Sequence, residues 1–188
     1  YIPENYQFLD VDEIFRFLDT RKNILDGVCI SGGEPLMQEK LIPFLKEIKK
    51  RGYEIKLDVT GNYLDRLKEI VDAKLVDYIA MDVKNTKEKY ALTVGSDAEN
   101  FPVESMDACI SYIRTCGIPY EFRTTIVREL HTKEDLVAMA KWLKGADAWY
   151  LQQFQDSPNC IQEGFHSYNK QEMLEILEAV KQYVPNAE

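Results

Sequence analysis

The chain is poor in the residues that build disulfide scaffolds or local metal centres. Among 188 residues it has four cysteines, Cys29, Cys109, Cys116 and Cys160, and no two are separated by two or three positions. That spacing excludes a local Cys-x2-Cys or Cys-x3-Cys ligand pair and favours a reducing compartment over a disulfide framework. Cys29 and Cys109 fall on apolar segments and are expected as small core residues, Cys116 sits at a helix end, and Cys160, after Pro158, is the thiol expected to be exposed. There are only two histidines, His131 and His166. Both fall in loop segments and are expected to be solvated. No apolar run reaches bilayer-spanning length, and the start carries no basic-plus-apolar signal segment, so a soluble, cytoplasmic protein is expected. Positive charge is in deficit, with 23 Lys and Arg against 32 Asp and Glu and a net charge of -9. That balance disfavours nucleic acid as a partner. Nor is there a Pro/Gly/Ser-rich linker, a repeat or a composition break, which predicts one domain over residues 1–188.

What the sequence does have is regular alternation. Amphipathic helical segments are predicted near 10–22, 37–51, 62–74, 103–116, 132–144 and 169–183, and short apolar strands near 27–31, 54–59, 76–82, 119–127 and 148–153. Asp10-x-x-Glu13 and Asn169-x-x-Glu172 have the form of capping pairs, and Gly52 and Gly117 lie where helix C-termini favour positive φ. Acidic residues follow Thr132 in the first turn of the fifth helix, where they suit the helix dipole. Such βα units close a parallel sheet with helices outside it, an α/β partial barrel. A βα series should open with a strand. Five strands against six helices therefore predict that a first strand has been lost, leaving an unprotected sheet edge prone to pairing.

One segment stands out chemically. Cys29-Ile30-Ser31-Gly32-Gly33-Glu34-Pro35 places two glycines, a carboxylate and a proline just after an apolar strand. Paired glycines let a backbone approach a ligand closely, Glu34 adds a fixed acceptor, and Pro35 stops the strand. The plain alternative is a strand-to-helix turn. Asp58, Asp82, Lys84 and Arg123 also fall at or just past strand ends, and in βα folds those ends converge on one rim. Asp82 and Lys84 share a strand face and have each other as the plain alternative partner. Arg123 has Glu121 in the same role.

Gly32-Gly33-Glu34-Pro35, Lys56-Leu57-Asp58-Val59-Thr60-Gly61-Asn62, Asp77-Tyr78-Ile79-Ala80-Met81-Asp82-Val83-Lys84, Tyr120-Glu121-Phe122-Arg123-Thr124-Thr125-Ile126-Val127 and Trp149-Tyr150-Leu151-Gln152-Gln153-Phe154 resemble, in matching order, the radical SAM superfamily. In particular they resemble activating enzymes of glycyl radical enzymes, of the anaerobic ribonucleoside-triphosphate reductase type. The resemblance implies a (β/α)6 partial barrel lacking its first strand. It also implies S-adenosylmethionine and a [4Fe-4S] cluster as cofactors, the cluster held by a Cys-x3-Cys-x2-Cys loop that this chain does not contain. Without those thiolates the chain as given is expected to be inactive.

By the same resemblance the backbone of Gly32 and Gly33, followed by Pro35, would meet the methionyl ammonium together with Glu34 and Asp58. Arg123 and Lys84 would meet the carboxylate, Asp82 the ribose, and the Leu151-Gln152-Gln153 strand end the adenine through its backbone. Val59-Thr60 departs from the Thr-Asn that relatives usually show. The implied partners are a glycyl radical enzyme as protein substrate and an electron donor such as flavodoxin. Activation of pyruvate formate-lyase, modification of a small molecule, a cluster-free S-adenosylmethionine-binding module and a phosphate-binding turn are the alternatives. Glu34 argues against the last, because a carboxylate beside phosphate repels it. On sequence alone, Arg123→Glu is expected to abolish cofactor affinity with little loss of fold.

Overall fold

Alternation along five short strands sorts side chains onto two faces of one sheet, and helices cover the apolar face. The computed structural model describes residues 8–96, 101–156 and 163–188. Strands β1 (Gly27–Ile30), β2 (Glu54–Val59), β3 (Tyr78–Asp82), β4 (Tyr120–Ile126) and β5 (Trp149–Gln153) pair in sequence order, every pair parallel. Each crossover carries at least one helix, so right-handed connections lay the helices along one side. They are α1 (Val11–Asp19), α2 (Leu41–Lys50), α3 (Leu64–Asp72), α4 (Tyr90–Thr93), α5 (Val103–Ile113), α6 (Lys133–Trp142) and α7 (Lys170–Lys181).

The core lies between that side of the sheet and the helices. Ile55, Leu57, Ile79, Met81, Phe122 and Trp149 from the strands are fully buried against Leu45 and Ile48 of α2, Ile70 of α3, Met106 of α5, Leu136 of α6 and Val180 of α7. Burying each such side chain is worth roughly 1.5–3 kcal/mol before entropy is counted, so this face holds the sheet together. The opposite face is left free to carry charge.

The parallel α/β architecture with outer helices agrees with the sequence reading, and the differences are local. The segment expected as a helix over 37–51 divides. Pro35–Met37 forms a single 3-10 turn capped by Glu34, Gln38 returns to extended backbone, and α2 begins at Leu41. The helix expected to reach 116 ends at Ile113, with Gly117 at φ 80° beyond it. Helix α4 was not anticipated, because four residues are too few to show a helical period. Capping boxes form at Asp10 and Asn169 as expected, and a third at Thr132, where Asp135 returns a carboxylate oxygen to the Thr132 N–H. At the far edge, Leu151 N–H donates to the Glu188 carbonyl at 2.7 Å and Glu188 N–H to the Trp149 carbonyl at 3.0 Å, so the tail lengthens the sheet beside β5. At the near edge, β1 has β2 as its one sheet neighbour among the described residues.

Candidate functional site

The uncovered face of the sheet is a ladder of paired charges, ordered by the parallel register. Cys29, Lys56 and Tyr78 stand side by side on β1, β2 and β3; Asp58, Ala80 and Glu121 form the next row; Asp82 and Arg123 pair in the row nearest the C-terminal strand ends. Arg123 is the centre of the upper part. Its Nε donates to Asp82 Oδ1 at 3.0 Å and its Nη1 to Asp58 Oδ2 at 3.1 Å, while Nη2 lies 2.9 Å from Asp82 Oδ1. Lys84 Nζ donates to the other oxygen of Asp82 at 2.8 Å. A guanidinium has five N–H donors, so Nη1 and Nη2 keep hydrogens for a further acceptor. Burial works against the charge on Arg123, but the Asp82 and Asp58 carboxylates outweigh it and raise its pKa. The group is a permanent cation.

Beside this cluster the Gly32-Gly33 turn is open. Gly32 has φ 140°, and beyond the adjoining residues of the chain no atom lies within 4 Å of where a Cβ would stand on either glycine. Space above a bare backbone admits a ligand atom to the peptide groups. The turn is fixed by Glu34. One carboxylate oxygen accepts the Leu36 N–H at 2.9 Å, and the other accepts the Thr60 N–H at 2.8 Å and the Thr60 hydroxyl. Glu34 thus ties the loop after β1 to the loop after β2. The next residue, Gly61, has φ 93°, and a Cβ there would sit 3.1 Å from Met106 Sδ, so the β2 exit packs where only glycine fits.

Below the rim, Glu121 is 8% exposed and accepts from Lys56 Nζ at 2.8 Å and from the Tyr78 hydroxyl at 3.0 Å. Lys56 Nζ also lies 5.2 Å from the Tyr78 ring centroid, within cation-π range. Burial first, then the Glu121 carboxylate, pushes the Tyr78 pKa up to about 12. These groups satisfy one another on the same face of the sheet, below the Arg123 cluster.

The structure therefore brings Asp58, Asp82, Lys84 and Arg123 into direct contact and sets Gly32, Gly33 and Glu34 at the same end of the sheet. Pro35 is buried at the start of the 3-10 turn and shapes the loop. Gln153 ends β5. Its register partner is Ile126, on the helix-covered face, and its Nε2 donates to the Tyr168 carbonyl at 2.6 Å. The neighbour whose side chain shares the charged face is Gln152, within 3.3 Å of the Thr125 hydroxyl.

Two readings of single residues need correction. Cys29 is exposed on the charged face, its thiol 3.7 Å from Asp58, because strand alternation puts position 29 opposite Val28 and Ile30. Burial, followed by the Asp58 charge, raises its pKa, so it is a weak nucleophile. His131 is 1% exposed, not solvated, because its loop folds down between two strand exits. His166 is exposed as expected and lies 2.6 Å from Glu129. Cys109 is buried on α5, with its pKa pushed up to about 12 by burial, and Cys160 lies outside the described residues.

The donor set fits the amino-acid end of S-adenosylmethionine: carboxylates for an ammonium, free guanidinium N–H groups for a carboxylate, and an open glycine backbone between them. It does not fit an iron–sulfur cluster. Among the described residues no three Cys, His, Asp or Glu side chains converge so as to hold a metal ion.

Residues 1–143 match the family described as the Radical SAM superfamily, and the chain belongs to that superfamily. A relative in Methanocaldococcus jannaschii, provisionally named a glycyl-radical enzyme activating enzyme, is 29% identical over 99% of this chain and 78% of its own length. A second protein of that organism with the same provisional name is 30% identical over 79% of this chain, which spans just 58% of it. A solved domain of a pyruvate-formate lyase-activating enzyme from Bacteroides vulgatus has the same fold, with a TM-score of 0.70 at 18% identity, covering 86% of this chain and 97% of that one. Streptococcus suis SuiB bound to S-adenosylmethionine superposes with a TM-score of 0.70 at 12% identity over 97% of this chain and 42% of its own. Among the described residues no helix is long and apolar enough to cross a membrane.

Proposed function

We propose that this chain binds S-adenosylmethionine across its strand tips and serves in the activation of a glycyl radical enzyme. The observation that carries the binding reading is the guanidinium of Arg123 fixed between Asp58 and Asp82, with donors to spare, next to the open Gly32-Gly33 turn. Names carried by the M. jannaschii relatives support the activating role.

In this reading Asp58 and the carbonyls of the glycine turn hold the ammonium, and the free N–H groups of Arg123 hold the carboxylate together with Lys84. Glu34 keeps the turn in place through Leu36 and Thr60, and its remaining lone pairs face the same ammonium. Asp82 sets the heading of both cations and presents acceptor capacity toward the ribose. A ligand pinned at its charged end in this way has its sulfonium fixed relative to the sheet, which is the orientation a directed bond cleavage needs. On one-electron reduction, bound S-adenosylmethionine yields methionine and a 5'-deoxyadenosyl radical able to take a hydrogen atom from a glycine Cα. The electron would come from an iron–sulfur cluster, itself reduced by a donor such as flavodoxin; the described residues would not hold that cluster and would serve to bind and orient S-adenosylmethionine.

Calorimetry tests the binding: S-adenosylmethionine should bind with one site and ATP more weakly, whereas tighter ATP binding would overturn the reading. Anaerobic co-expression of the organism's glycyl radical enzyme with a form of this chain that carries the Cys-x3-Cys-x2-Cys loop tests the role. An electron paramagnetic resonance doublet from a glycine radical is expected, and a doublet that persists with Arg123→Met would contradict the assignment.

A further inference from the structure

We infer that His131, which touches none of the charged groups itself, is a positioning residue that sets the spacing of three strand exits and so the placement of Lys84. The inference rests on the S-adenosylmethionine-binding reading and extends it to a residue outside the cleft. His131 lies in the loop between β4 and α6 and is 1% exposed. Its Nδ1 accepts the Val127 N–H at 3.1 Å, which leaves the proton on Nε2, and Nε2 lies 2.7 Å from the Lys84 carbonyl. The Val127 carbonyl also lies 3.2 Å from Nδ1, but it already accepts the Leu130 and His131 N–H groups at 3.1 and 2.9 Å, whereas the Lys84 carbonyl needs a donor, so the partners assign the proton to Nε2. One ring therefore ties the residue just past β4 to the segment leaving β3. The His131 carbonyl completes the set by accepting the Tyr168 hydroxyl at 2.6 Å, while the Tyr168 carbonyl accepts Gln153 Nε2 at the end of β5.

The segment after β3 depends on this ring for a specific reason. Asn85 is also buried and donates to the Leu130 carbonyl at 3.0 Å and to Thr93 Oγ1 at 2.8 Å, so residues 84 and 85 are both pinned to the loop that holds His131. Asn85 secures its own position, but among the described residues the Lys84 carbonyl is held by His131. Lys84 in turn carries the ammonium 2.8 Å from Asp82. If the Lys84 carbonyl loses its donor, a partly buried acceptor is left unsatisfied, and the segment can relieve that by shifting. The shift would displace the Lys84 ammonium from Asp82 while leaving the hydrophobic core intact.

Two side chains separate this role from a merely structural one. Asn presents its polar atoms near the Nδ1 position and Gln near the Nε2 position. His131→Gln should keep the donor to Lys84 and bind S-adenosylmethionine within about threefold of the parent. His131→Asn should keep only the Val127 contact and bind about tenfold more weakly, the size expected for one buried hydrogen bond, at a thermal midpoint near that of His131→Gln. Equal affinity in both variants, or losses that track stability alone, would overturn the inference. If either variant fails to fold, long-range proton–nitrogen spectra of the parent chain decide. They should show one imidazole as the Nε2–H tautomer whose nitrogens shift when S-adenosylmethionine is added; an unchanged or Nδ1–H imidazole would overturn it. A parent chain that binds no S-adenosylmethionine counts against the functional reading itself.

Discussion

Arg123 on β4 hydrogen-bonds Asp58 on β2, two strands away, and the side chain between them is the methyl of Ala80. Ala80 pairs with Asp58 on one side and with Glu121 on the other, and it is fully buried. A small residue at that position is what lets a guanidinium cross β3 and meet both aspartates.

Ala80→Leu should fill the crossing and separate Arg123 from Asp58. Overpacking of this kind lowers stability by about 1–3 kcal/mol. Denaturant unfolding and calorimetry together should show that loss and at least about tenfold weaker S-adenosylmethionine binding. Unchanged affinity would mean the bridge is not needed.

The geometry revises what a charge reversal at Arg123 does. Arg123→Glu would bring a new carboxylate beside Asp58, Asp82 and Glu121, which lies 4.0 Å from Nη1. The fold should lose about 3 kcal/mol, because two partly buried carboxylates lose their counter-ion and gain a like charge. Arg123→Lys is the sharper variant. It keeps the charge but replaces a two-pronged donor by a point, so unfolding should change by about 1 kcal/mol while affinity falls much further. Equal effects on both would favour a structural salt bridge.

Thr60→Val tests the tie between the glycine turn and β2. The Thr60 N–H still reaches Glu34, but the hydroxyl is gone, a loss of about 1 kcal/mol. Amide exchange over residues 31–34 should quicken while the amides of β2 stay protected. Exchange that speeds up everywhere would mean the latch supports the whole sheet.

Tyr78 predicts an alkaline limb in stability. Its pKa rises from the ordinary 10 to about 12 in the folded chain. Between those values the unfolded chain has released the proton and the folded chain has not, so stability falls as pH rises. The contribution is complete below pH 10 and lost as pH rises through about 12. Thermal midpoints from pH 9 to 12 should fall less steeply in Tyr78→Phe than in the parent, and identical slopes would remove Tyr78 from the account.

Much of this was legible in the sequence because strand alternation and helix capping are local. The parallel sheet, the outer helices and the capping boxes at Asp10 and Asn169 need only neighbours in the chain. Asp58, Asp82, Lys84 and Arg123 were legible as strand-end residues, since topology alone sends such ends to one rim. What was hidden depends on register. Whether Cys29 faces Asp58 or the core turns on a shift of one residue, and four residues of strand do not fix it. The sequence marks Glu34 as an acceptor, but its partner Thr60, 26 positions away, is set by the fold. His131 carries no flanking pattern that marks burial, and the Lys84 carbonyl that holds it is 47 positions away. The place of His131 just after a strand and just before the capped start of α6 is the one local sign of its role.

The most direct test is a nitrogen-edited spectrum of the arginine side chains during titration with S-adenosylmethionine. Arg123 should give one slowly exchanging Nε–H signal, held by Asp82, that shifts on addition of the ligand and shifts far less with 5'-deoxyadenosine, which has the ribose but lacks the amino-acid end. A signal that ignores S-adenosylmethionine, or one that moves equally for both compounds, would contradict the claim that this guanidinium holds the ligand's carboxylate.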